Sequence, residues 1–466
     1  MAKSCSTVAS SKTQKVFAVI EDVTGVLQRP TAAGYILPAG RATLNQVPTF
    51  TNSDELTDSL DVVNQFKDAV KAGDGKISTI VHIPTDGSKM QAAALFEAMM
   101  GIVQEPNVAS AVIATGGDID ADDTTINISG ITGGVFPDRG EVLIGTERIR
   151  YLGVTLNPSG VVTALTNCVR GYHSTTAASH AAAASISLKS RVYIQDKCRP
   201  TCSVWIQNDH TVMFASGCVV TSVTVPQSKT GGQHCDFTFQ FRQLGWAGRS
   251  FLGAIPSTGV LSVVTAANVA AAGAYTVGAI VKNTTKNDDN SGAGYTVTAV
   301  DTDNGTVTIS PVPTGWAKDD QIDPWLPEAA PIGVALEASA TKVFVGGTAG
   351  KLMEGSITLG TPTNFIDELG NDYPGENADN TRALSMENSL YFRAEDVLEF
   401  KRGYDGYELP VHVVLGNKAG GSLSLVMRRV KFVMPSVDSS DPFVILKRSS
   451  AILGTKGNDS LVLVQE

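Results

Sequence analysis

Charge is what this 466-residue chain has least of: Asp, Glu, Lys and Arg supply 18% of it, against about 25% in ordinary soluble domains. A monomer of this size normally covers its exterior with Lys and Glu, so the deficit points to a surface occupied by copies of itself or by a partner. Cysteine is also sparse, six in all, too few for a disulfide framework. An excess of base is missing: 46 acids outweigh 36 bases and leave a formal net charge of −10, which argues against a chain that grips nucleic acid through its phosphates. Disorder is excluded by an apolar fraction of 42%.

Long apolar runs are lacking as well. Val16–Ile20, after the polar stretch Met1–Lys15, is shorter than the roughly 7–15 residues of a signal-peptide core, so export by the general pathway is not expected. Val260–Val281 carries no charge and has the length of a span, but it is interrupted by Ser262, Thr265, Asn268, Gly273, Thr276 and Gly278. It reads as a loop followed by a strand, and no membrane span is expected.

Catalytic signatures are missing too. Gly346–Lys351 (GGTAGK) departs from a phosphate-binding loop in its glycine spacing and in having Leu352 after the lysine. Gly420-Gly421-Ser422-Leu423-Ser424 lacks the glycine two places after serine that a nucleophile elbow needs. The histidines (82, 173, 180, 210, 234 and 412) are scattered. Cys198 and Cys202, with His210 and His234 nearby, lack the second tight pair of a zinc site, so the cysteines read as single thiols, mostly buried. The acids at 118–123 and 367–379 could hold Ca²⁺ in principle but lack the spacing of a calcium loop, and they read as solvated loops. No enzyme, cofactor or metal is expected.

What is present is a mainly β pattern in four blocks. Residues 1–107 are mixed: strand-like Val16–Ile20 and Ile77–Ile83, a helix opened by Ser53 with Leu56, Leu60, Val63 and Phe66 on one face, and a second helix over Lys89–Gly101. Residues 108–189 change to short alternating segments with turns, an inserted all-β module. The mixed character returns at 190–255, where Cys235, Phe237, Phe239 and Phe241 alternate with polar residues and give one apolar strand face. Residues 256–330 form a second small β module, markedly acidic with 8 acids and 3 lysines. Residues 331–466 mix strands with a short helix at Ala394–Lys401. Both mixed blocks run extended segment, acidic loop, helix, long strands. That shared order predicts a duplication: 1–107 with 190–255 as one domain and 331–466 as the other.

Certain stretches resemble known proteins. Leu165–Ile186 (LTNCVRGYHSTTAASHAAAASI) is similar to a small β module of structural proteins in tailed bacteriophages. Thr49–Phe66 (TFTNSDELTDSLDVVNQF), Gly75–Pro84, Ala92–Gly101 and, in the last block, Gly355–Phe392 follow the order seen in major tail tube proteins of long-tailed, siphovirus-type phages. The resemblance covers about two thirds of the chain and is similar to tube proteins carrying two tube domains. It implies β-sandwich or barrel tube domains with short flanking helices, whose sheets continue between neighbours. It implies homotrimeric rings with pseudo-sixfold symmetry, stacked into a tube inside a virion tail assembled in the host cytoplasm. The implied partners are the tape measure protein, the tail terminator, baseplate or tip proteins, and phage DNA passing through the lumen without specific binding.

On this reading Asp54, Glu55, Asp58 and Asp61 in the first acidic loop, and Asp367, Glu368, Asp372, Glu376 and Asp379 in the second, are the candidates for ring stacking or for lining the lumen, where acids would repel phosphate. The inserted modules are expected on the outer surface, with contact to host glycans as one role. Two other readings remain: another virion component, such as a decoration or baseplate protein, and a surface carbohydrate-binding adhesin or carbohydrate-active enzyme.

Overall fold

The computed structural model describes residues 13–53, 64–84, 86–253, 259–267, 269–330, 333–393, 396–418, 421–439, 443–455 and 457–466. The protein is mainly β, 51% strand and 6% helix, with barrel and half-barrel sheets and two short α-helices. The body contains β1 (Gln14–Ile20), β2 (Thr43–Asn45), β3 (Gly73–Ile80), α1 (Ala93–Met100), β4 (Gly101–Gln104), β5 (Arg191–Gln195), β6 (Cys202–Asn208), β7 (Thr211–Gln227) and β8 (His234–Phe241). It continues with β9 (Glu354–Gly360), β10 (Ala383–Tyr391), α2 (Val397–Tyr404), β11 (Glu408–Lys418), β12 (Gly421–Phe432), β13 (Ser436–Asp438), β14 (Ile445–Leu453) and β15 (Val462–Gln465).

Eight of these strands form a continuous antiparallel wall in the order β2-β3-β8-β7-β9-β10-β14-β12. A second layer lies behind it. There β1 and β6 pair with each other, and β6 pairs with the first half of β7, while β11-β12-β15-β5-β4 run side by side. The long strands β7 and β12 belong to both layers. The last strand, β15, lies between β12 and β5 and so joins the end of the chain to its first half.

Strict alternation builds the core between the layers. Cys235, Phe237, Phe239 and Phe241 all point inward from β8 and are fully buried. Gly73 and Gly75 on β3 stand opposite Phe241 and Phe239. A Cβ at either glycine would sit 2.3–2.4 Å from ring atoms, so glycine is what lets these aromatic rings lie against the neighbouring strand. Helix α1 buries Leu95, Phe96, Met99 and Met100 in the same core, and Phe96 meets Phe237 edge-on at 5.0 Å.

The second layer is buried on both faces, which explains its unbroken apolar runs. Val16 and Ala18 face the central core, while Phe17 between them faces a second one. That second core belongs to a closed six-stranded barrel of short strands between Ser250 and Pro324, resting on Phe17, Trp205 and Phe214. On the other half of the layer, Leu425, Met427 and Leu463 face the central core. Val192, Val426 and Val464 face the core of an eight-stranded sheet made from residues 110–188. Both modules therefore cover the back of the second layer, on the side away from the open face of the wall.

Several elements differ from the sequence expectations. The helix expected from Ser53 falls mostly outside the described residues, but its last apolar position, Phe66, lies in a strand (Gln65–Lys67) paired with Phe50–Asn52. Phe66 thus sits where side chains alternate along a strand rather than wind around a helix. The second helix begins at Ala93 rather than Lys89, after Ala92 takes a left-handed conformation. β7 runs unbroken from Thr211 to Gln227, with register shifts at Cys202/Val204 on β6 and Val220/Ser222 on β7 that let the strand serve two layers. The strand placed at Ala274–Val281 begins at Ile280, preceded by a 3₁₀ turn.

Candidate functional site: a sheet edge, a cationic groove and two acidic hairpins

The two halves of the body repeat one plan. In the first, β2 leads into the strand pair Phe50–Asn52 and Gln65–Lys67, the first hairpin, then β3, α1, the long pair β6–β7, and β8. In the second, β9 leads into the hairpin 363–379, then β10, α2, the long pair β11–β12, and β14. Within the chain, the far end of the first repeat meets the near end of the second: Ser222–Gln227 of β7 pair with Gly360–Gly355 of β9. An ion pair locks this seam. Arg199 donates to Asp379 at 2.7 and 2.5 Å, to the Thr363 hydroxyl at 3.0 Å and to the Val220 carbonyl at 2.5 Å. The Val70 amide donates to the Asp372 carbonyl at 3.0 Å, tying the chain just after Lys67 to the turn of the second hairpin.

The equivalent end of the second repeat has no such neighbour among the described residues. Beyond Phe432 the chain leaves the ladder over 433–435 and rejoins it as β13, which among the described residues pairs with β14 on one side, and β2 pairs only with β3 among the described residues. Around that edge Val433, Met434, Val437, Phe443 and Val444 are exposed, and so are Val397, Leu398 and Tyr404 of α2, a helix with no buried residue. An apolar edge of this kind is costly to leave open in water.

The open face of the wall is rich in hydroxyls: Ser222, Thr224, Thr238, Ser356, Thr358, Ser385 and Ser449 share it by register. Its charges are mixed. Asp74, Asp236, Glu354 and Glu387 stand among Lys76, Arg429, Lys431 and Lys447.

Of the acids singled out in the sequence, Asp54, Glu55, Asp58 and Asp61 lie outside the described residues. Asp367, Glu368, Asp372 and Glu376 sit on the exposed turn of the second hairpin, with Leu369 fully exposed among them. Asp379 is different in kind, since its carboxylate is the partner of Arg199. Burial works against its ionisation, but the Arg199 guanidinium and the Thr363 hydroxyl outweigh this and hold it below the usual carboxylate range.

A buried carboxylate missed at the sequence level explains the Arg-Gly-Tyr motif. Glu147 is 1% exposed and accepts from Arg170 at 2.9 and 2.8 Å, from the amides of Gly171 and Ala178, and from His180 at 2.8 Å. Burial raises its pKa, but the bond from Arg170 and the other donors prevail and bring it to about 2. The motif thus clamps a loop onto one carboxylate. The module is fixed to the body by Asp138 with Arg428 at 2.7 Å, Arg150 with Glu466 at 2.6 Å, and Arg139 over the Phe344 ring. The only sequence signal for Glu147 is an acid within an otherwise strand-like run, ERIRY.

The remaining candidates resolve into fold roles. Gly346–Gly347 is the tip of the hairpin joining Lys342–Val345 to Thr348–Ala349. Cys168, Cys202, Cys218 and Cys235 are buried and Cys198 is exposed. Among the described residues no three His, Cys, Asp or Glu side chains gather closely enough to hold a metal ion, and no helix is long and apolar enough to cross a membrane. No protein-family model matches the chain, and no curated protein matches it in sequence.

Proposed function

We propose that this protein is a structural subunit that closes into rings and stacks into a tube, acting as the tail tube of a long-tailed bacteriophage through which the genome is delivered. The observation that carries the reading is the seam between the repeats. The chain already contains one pairing of a β7-type edge with a β9-type edge, and among the described residues the same two edge types, β13 and β2, have a strand neighbour on one side only. Joining the free edge of one copy to β2 of the next repeats a contact the chain makes with itself, and copies related this way close into a ring.

Three copies of an eight-stranded wall give a barrel of about 24 strands, whose circumference at about 4.8 Å per strand is roughly 115 Å and whose diameter is roughly 37 Å. Side chains narrow this to roughly 25–30 Å, an opening that admits a DNA duplex. The wall's hydroxyl-rich face of mixed charge lines that channel and offers DNA no continuous cationic surface. The modules, on the back of the second layer, face outward. The tube belongs to the virion tail, is assembled in the host cytoplasm, and meets the tape measure protein inside and the terminator and tip proteins at its ends. The chemistry needed is assembly, with no catalytic step and no cofactor.

Negative-stain electron microscopy of the purified protein tests this. Rings and open-ended tubes with a central channel are the expected result; discrete monomers under all conditions overturn it. Met434→Lys with Val437→Lys, placing charge on the free edge, leaves the melting temperature of the subunit unchanged and abolishes rings in light scattering.

A further inference from the structure

The two ends of the wall are chemically opposite. Both hairpins leave at one end, beside Asp74, Gly360 and Ala383. At the other end of the same strands, about 20 Å away along β9, three adjoining cavities of about 650, 580 and 450 Å³ form one groove.

Cations dominate the groove. Lys229, Lys342, Lys351 and Arg393 line it with no ion-pair partner among the described residues, against Glu354, Glu387 and Asp396. Phe344 and Leu352 give it an apolar floor. Gln227, 6% exposed, reaches it with neither amide oxygen nor amide nitrogen hydrogen-bonded. A buried amide without partners is a vacancy for backbone or side-chain groups from outside. A cationic groove is also out of keeping with a chain of net charge −10. At the opposite end, the turn 366–376 carries four exposed acids, no base, and the fully exposed Leu369 at its tip.

We infer that the acidic turn 366–376 of one copy seats in the cationic groove of the next copy along the strand direction, with Leu369 on the apolar floor and Asp367 and Glu368 against the lysines. The contact is head-to-tail between different surfaces, so it repeats without closing and sets the direction of growth. It rests on the tube reading and names the two surfaces that join ring to ring.

Charge exchange tests it. One variant carries Asp367→Lys and Glu368→Lys; the other carries Lys342→Glu and Lys351→Glu. Each alone sets like charges face to face, and filament length in negative stain is expected to fall at least about tenfold while rings persist. Mixed in equal amounts, each turn meets a groove of opposite sign, so filaments return; the variant with all four changes also elongates alone. All these residues are exposed, and matching thermal melts show that each variant is folded. The inference is overturned if either two-residue variant elongates like wild type, or if neither the mixture nor the four-residue variant elongates although rings form. Both results leave the tube reading standing. A wild-type chain giving neither rings nor filaments overturns the tube reading itself and this inference with it.

Discussion

The two repeats share a plan but not an environment. In the first, α1 is packed into the central core and the β7 edge is covered by β9. In the second, α2 exposes Val397, Leu398 and Tyr404, and the equivalent edge carries Val433, Met434 and Val437 in the open. One repeat shows the finished state of the contact and the other shows its starting state. On the proposed tube reading the low charge of the chain follows from this: apolar residues sit where a monomer would place Lys or Glu, because neighbouring copies would complete the subunit.

Breaking the finished repeat has the largest effects. Phe96→Ala removes a fully packed ring and is expected to cost about 3–5 kcal/mol in denaturant unfolding. Its counterpart on the open helix, Leu398→Ala, changes subunit stability by less than about 0.5 kcal/mol and shows itself only as weaker ring formation at low protein concentration. Thr224→Pro in the closed seam removes a ladder hydrogen bond from a central strand and is expected to lower the melting temperature of the subunit, whereas a substitution at Met434 leaves the fold intact.

The hairpin acids sharpen the comparison at a smaller scale. Asp379→Asn leaves Arg199 without its carboxylate and is expected to cost about 2 kcal/mol, while Asp372→Asn on the exposed turn is neutral in the same melt. Because the Asp379 pKa is depressed on folding, its contribution is complete above the ordinary value of 3.8 and is lost as pH falls below it.

The mildest test uses acid. β11 of the second repeat carries His412, whereas β6 of the first has no titratable side chain between Ser203 and Asn208. Burial, opposed by Asp138 and aided by Arg139 and Arg428, lowers the His412 pKa from 6.5 to about 4. The folded state therefore holds it neutral, and protonation favours unfolding: its contribution is full above pH 6.5 and declines as pH falls toward 4. Amide hydrogen exchange in β11 and β12 is expected to accelerate over this range before that in β6 and β7; equal acceleration of both pairs contradicts the assignment.

Much of the architecture was legible because burial writes a period into sequence. Cys235–Phe241 alternate plainly, and the strand reading there matches β8. The two-faced second layer was harder: Phe17 beside Val16 and Ala18 gives an apolar run that does not reveal which residue serves which core. Phe66 misled because a single apolar residue at the end of a helical spacing fits equally well in a short strand, here one paired with Phe50–Asn52. The candidate acids looked alike in sequence, yet Asp379 is an ion-pair lock and Asp372 is a solvated turn residue. The difference lies in Arg199, 180 positions away in sequence.

By itself the sequence determined the mainly β character, because alternation, turns and composition are local properties. It also carried the charge deficit. Only the tertiary structure decided which edge is closed and which is open, that hairpins and groove lie at opposite ends of the same strands, and that Glu147 gathers the Arg-Gly-Tyr loop. Those are relations between distant segments, set by strand register and core packing, and no local pattern records them.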